Sequence, residues 1–213
     1  MSVSMFRLAP HGSLVIGVFV AALVGLVNGT ALAHPFKRLA ASAVAPRPPA
    51  LVRVSSKSAI SYYDVYGTTM ESLRSEITGA NSWPADTRWS VTWTYRLRQR
   101  LGSCSIVSAT VNLNVLYTMP RWFGERVAGP DIATAWNEFV AGVWSHEAGH
   151  AAIGRGARDA VTASLESVKP APSCGRTGVR ARAAARAALR PWMTRDAVYD
   201  AETSHGATQN AAL

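Results

Sequence analysis

Cysteine is nearly absent from this chain, and its two examples, Cys104 and Cys174, show no CxxC spacing. That excludes a cysteine-built metal cluster and leaves either one disulfide or two buried thiols. A disulfide fits an exported chain and would close a long loop, worth about 4 kcal/mol on the chain-entropy estimate. Acidic residues are also few, 13 against 22 lysines and arginines, for a net charge of +9. Only one apolar run approaches membrane-spanning length, and there is no internal repeat. No nucleic-acid-binding motif accompanies the positive charge, so nucleic acid is not an expected partner. The excess instead predicts attraction to an anionic envelope surface or to acidic substrates.

The apolar run, Leu14 to Val27, follows Arg7 and precedes the small-x-small pattern Ala31-Leu32-Ala33. This is the layout of a signal peptide over residues 1–33, cleaved before His34; an uncleaved anchor is the alternative. Either way the remainder lies outside the cytoplasmic membrane, periplasmic or secreted. Arg7 is the one charged residue removed, so from +9 the mature product keeps +8. Residues 34–57 carry Pro35, Pro46, Pro48 and Pro49 and read as a proline-rich tether. Residues 58–213 suffice for one domain with one core.

Within that domain Ala59 to Tyr66 is β-branched and aromatic, and a short capped helix follows from Thr68 or Thr69 through Ile77. Two strands then alternate strictly. Trp89, Val91, Trp93, Tyr95 and Leu97 share one face of the first, and Val107 to Tyr117 at every second position share one face of the second. The short connection with Gly102 predicts an antiparallel hairpin whose aromatics face a core. Trp122 and Phe123 fall in the loop beyond, as anchors or as groove lining. A long helix begins at Pro130-Asp131 and ends before Pro170, with Ile132, Trp136, Phe139, Val140 and Val143 on one stripe. A second helix, about 179–192, carries Arg182, Arg186 and Arg190 as a basic stripe, read as solvated or as a contact for an anionic surface. The fold class is α+β, with a hairpin packed on the long helix.

The stripe of the long helix runs into His146-Glu147-Ala148-Gly149-His150. Histidines four apart stand on one helix face and can share a metal ion, while the intervening glutamate is placed to act as general base on a metal-activated water. Gly149 suggests close approach of another backbone. A catalytic zinc site needs a third protein ligand. The metzincin extension would place glycine at 153 and histidine at 156, but the chain has Ile153 and Gly156, which excludes that subclass. His205 leads as third ligand, followed by Glu202 and Asp200, with Glu166 behind them. His34 lies in the tether. Tyr199 is a candidate donor to a developing oxyanion.

Tyr63-Asp64-Val65-Tyr66-Gly67, Leu116 to Pro120, the HEAGH helix, and Tyr199-Asp200 through His205-Gly206-Ala207-Thr208-Gln209 together resemble a bacterial family. It carries a domain-of-unknown-function label (922) and is described as predicted secreted zinc-dependent proteases. The likeness covers residues 58–210. It implies a zincin-like fold, one Zn²⁺ at His146 and His150, a catalytic Glu147, and a terminal segment beside the metal through Tyr199, Asp200, His205, Gly206 and Gln209. The expected function is an exported zinc metallopeptidase acting on a peptide or protein substrate. The alternative is an envelope-associated binding or structural protein with a non-catalytic zinc.

Overall fold

Alternating strands and one long amphipathic stripe produce a three-stranded sheet backed by two helices. The computed structural model describes residues 50–80 and 83–213. The expected leader, 1–33, and most of the expected tether lie outside these. β1 (Leu51–Val65), β2 (Asp86–Arg100) and β3 (Ser103–Trp122) form a mixed sheet in the order β1-β3-β2. α1 (Met70–Ala80) follows β1, α2 (Pro130–Glu166) follows β3, and α3 (Cys174–Thr203) leads into a single 3-10 turn at Ala207–Gln209.

β2 and β3 pair antiparallel around Leu101-Gly102, both with positive φ (46° and 73°). The inward aromatics of β2 pack on the core as expected. One inward position of β3 shifts. A bulge beside Arg96/Leu97 leaves Val107 without a partner, and Ile106, 6% exposed, takes the inward place.

β1 corrects the domain boundary. It starts at Leu51, so residues 51–57 are strand rather than tether, and it runs parallel to β3 with Leu51 opposite Ser108. Most of β1 is exposed. It is therefore held mainly by ladder hydrogen bonds to the longer β3, which the period-two signal of burial cannot report.

Pro130 and Asp131 open α2, where a missing N–H costs nothing and a carboxylate meets the helix dipole. Its buried stripe continues beyond the motif through Ala157, Val161 and Leu165. Truncating Leu165, 1% exposed, to alanine would cost about 2–5 kcal/mol. α3 is longer than expected at both ends. Ser173 caps it by accepting from the Arg176 N–H at 3.4 Å, and Pro191 sits inside it without ending it. Arg182, Arg186 and Arg190 are exposed.

Two apolar clusters share α2. One joins the sheet to the later half of α2 and to Ala181 and Ala185 of α3. The other gathers Val65, Leu73, Met119, Trp136, Phe139 and Val143 around α1. Trp122 is the last residue of β3, donating to the Gly67 carbonyl at 2.9 Å beneath this second cluster, while Phe123 is exposed and stacks on Tyr66. A Cys104–Cys174 disulfide, S–S 1.97 Å, ties β3 to the start of α3. Among the described residues no helix is long and apolar enough to cross a membrane.

Candidate metal centre

The HEAGH turn of α2 lies where the two clusters meet. His146, Glu147 and His150 are 5%, 3% and 6% exposed. The two Nε2 atoms are 3.2 Å apart. Asp200, from the last turns of α3, brings Oδ1 to 2.9 Å from His150 Nε2 and 3.3 Å from His146 Nε2. These three donors can hold a metal ion. Ligand atoms at about 2.0–2.1 Å from a tetrahedral zinc stand about 3.3 Å apart, which is close to the spacing present here.

Each imidazole is oriented through its other nitrogen. His150 Nδ1 donates to Asp196 Oδ1 at 2.9 Å, and the same oxygen accepts Trp89 Nε1 at 2.8 Å, tying the ligand to β2. His146 Nδ1 donates to Gln209 Oε1 at 3.1 Å, from the 3-10 turn, with Thr203 Oγ1 at 3.3 Å. Both Nε2 lone pairs are thereby left for a common point, the tautomer that metal binding requires.

Glu147 stands beside this point and off it. Burial pushes its carboxyl above the ordinary glutamate range, opposed in part by the nearby Thr87 hydroxyl and by His150. The geometry closes no hydrogen bond between Glu147 and Thr87, and Glu147 Oε2 and Thr87 Oγ1 each lack a partner among the described residues. Burial likewise lowers His146 below the usual imidazole value. For His150 burial acts in the same direction, but Asp196 and Asp200 outweigh it and raise the group. A cavity of about 580 Å³ opens over the site, lined by residues 83–89 of the β2 entry together with the HEAGH side chains, Asp196, Asp200 and His205.

A family model described as "Bacterial protein of unknown function (DUF922)" matches residues 60–206. The chain belongs to this family. No curated protein and no solved structure matches it. The DUF922 span takes in all three converging donors and Glu147, and it stops short of Gln209.

The other expected residues of this DUF922 chain are placed as follows. His205, the leading candidate for third ligand, is not among the converging donors; Asp200 is. Ser204, His205 and Gly206 all have positive φ (49°, 51° and 84°), which turns the chain away from α3. The His205 ring then stacks on Trp83 at 3.6 Å, with Nδ1 still 3.6 Å from Asp200 Oδ1. Glu202 is exposed and pairs with Arg195, and Glu166 is exposed at the far end of α2. Tyr199, the candidate oxyanion donor, is not among the residues lining the cavity: its hydroxyl donates to the His146 carbonyl at 3.3 Å and its ring stacks against the His146 imidazole. Gly149 admits that ring rather than another backbone, since a Cβ there would collide with Tyr199. His34 lies outside the described residues.

Asp196 escaped the sequence reading because the second helix was ended at Trp192. Once α3 continues, Asp196 and Asp200 stand four apart on one face, the same spacing as the histidines they meet.

Proposed function

We propose that this chain is an exported zinc-dependent metallohydrolase of zincin-like fold, acting as a peptidase. The observation that carries the reading is Glu147, a buried carboxylate without a partner on Oε2, set beside two imidazoles whose free nitrogens converge under a cavity. A buried acid with no partner is costly and points to function rather than stability. The donor set of two imidazoles and one carboxylate suits zinc with a position left for chemistry. His146, His150 and Asp200 would hold it. When bound, zinc would polarise a substrate carbonyl and lower the pKa of water.

Glu147 takes a proton from the attacking water and returns it to the leaving amine, a role for which a raised pKa is suited. The free edge of β2, whose first residues line the cavity, offers an extended peptide main-chain hydrogen bonds. His205 lines the same cavity. Residues 1–33 would direct export, and the disulfide accords with an oxidising destination.

The test is zinc content and hydrolysis of a mixed peptide library by wild type and variants. One zinc per chain should be lost in His146→Ala and Asp200→Ala and kept in His205→Ala. Glu147→Gln should keep zinc and lose hydrolysis by about a hundredfold or more. Full activity in that variant removes the base assignment. His205, close to Asp200, also favours a second reading in which it closes a four-ligand structural site; zinc lost from His205→Ala, with no hydrolysis by wild type, would establish that instead.

A further inference from the structure

The end of the molecule remote from the metal centre carries an arrangement that the hydrolase reading leaves unused. The β2–β3 turn places Leu101 at its tip, 103% exposed, beside Gly102. Arg98 and Arg100 flank it, both exposed. The start of α3 is joined to this turn by the disulfide, by Cys104–Ala171 backbone bonds, and by Gln99 Nε2 donating to the Pro172 carbonyl at 3.1 Å. Lys169, Arg176 and Arg180 therefore lie at the same end, all exposed. Arg180 donates to the Pro170 carbonyl, and none of these cations forms an ion pair with a described residue. Residues 87–124 and 167–195, which run between the metal centre and this end, contain no aspartate or glutamate. The nearest acid along the chain is Glu166, at the end of α2.

We propose that this end docks on an anionic phospholipid surface, with Leu101 entering the headgroup boundary and the surrounding arginines and Lys169 paired with lipid phosphates. Basic charge alone would serve any polyanion. The leucine selects the bilayer, because a soluble phosphate polymer gives it nothing apolar to enter, whereas an interface rewards an apolar residue ringed by cations. The turn is also held rigidly, by a disulfide and a β-bridge, so little ordering is required on contact. At 1.5 Å per residue, α3 then carries Asp200 about 39 Å from Cys174, directing the metal centre away from the surface.

The experiment is co-sedimentation of the purified full chain with phosphatidylcholine vesicles, with and without phosphatidylglycerol. The neutral vesicles report binding by the amino-terminal apolar run, and the increment with phosphatidylglycerol reports the proposed surface. That increment should fall roughly fivefold for each of Arg98→Ala and Arg100→Ala and roughly tenfold for Leu101→Ser. Removing two charges from β1, by Arg53→Ala with Lys57→Ala, should leave it nearly intact. All five positions are exposed, and an unchanged thermal midpoint verifies folding. No increment in wild type overturns the proposal. So does an equal loss from the β1 variant, which would indicate net charge alone. An unaffected Leu101→Ser beside weakened arginine variants would assign the surface to a soluble polyanion and overturn the bilayer.

Discussion

The two ends of α3 are fastened by opposite means. At its start, Cys174 is bonded covalently to β3, Ala171 pairs with Cys104, and Thr177, fully buried, donates to the Cys104 carbonyl at 2.9 Å. At its finish there is no covalent tie. Asp196, Tyr199, Asp200 and Thr203 reach α2 through polar contacts around two imidazoles and through the Tyr199 ring stacked on His146. The first end has its full stability from the chain itself. The second gathers like-charged carboxylates and lone pairs that gain most when a cation lies between them. One helix thus combines a permanent anchor with an end that a bound cation would make firmer.

The largest test of this contrast is at the anchor. Replacing both cysteines by serine should lower unfolding stability by about 4 kcal/mol, read by denaturant titration. If the ends are independent, zinc content is unchanged; its loss would show that the anchor also serves the site. A smaller effect is expected from Asp196→Asn, which leaves the ligands in place but weakens the hold on His150. Zinc affinity should fall by about 10–100-fold in a competition titration, with the disulfide end unaffected in hydrogen exchange. An unchanged affinity would mean that Trp89 and Asp196 merely pack.

The smallest effect concerns protons. Burial raises the folded pKa of Glu147 above its ordinary value of 4.5, so the native state holds that proton more tightly than the unfolded chain. Its contribution is complete below the unfolded pKa and is lost as pH rises through the folded one. After chelation, Glu147→Gln should therefore gain on wild type as pH increases from about 4.5 towards neutrality. A difference independent of pH would mean that the carboxylate is solvated in the metal-free protein.

The same contrast separates what the sequence made legible from what it did not. The hairpin and α2 bury one face each, and burial writes its period into the residues: Trp89, Trp93 and Tyr95 at two, Trp136, Phe139, Val143 and His146 at three to four. β1 buries neither face along most of its length, so nothing in Arg53-Val54-Ser55-Ser56-Lys57 announces a strand. Its pairing rests mainly on the backbone ladder, with Ser55 donating to Asn112 Oδ1 at 2.6 Å. The alanine- and arginine-rich signal of α3 fades after Trp192, and a helix that stops there leaves Asp196 without its place opposite His150. His146, Glu147 and His150 were legible because one helical turn holds all three. The Trp89–Asp196 bond spans 107 positions and has no local signature.

The order in which these parts leave the ribosome gives the 3-10 turn a further meaning. α2 emerges with both histidines and the buried glutamate already on one face. Its third donor arrives only at Asp200, the partner of His150 at Asp196, and the partner of His146 at Gln209. A nascent chain halted anywhere before these positions carries the motif without the centre. The site is thus among the last features of the domain to exist: an ion met earlier would find two loosely held imidazoles, and the full set of donors and their supports is present only once Gln209 has emerged.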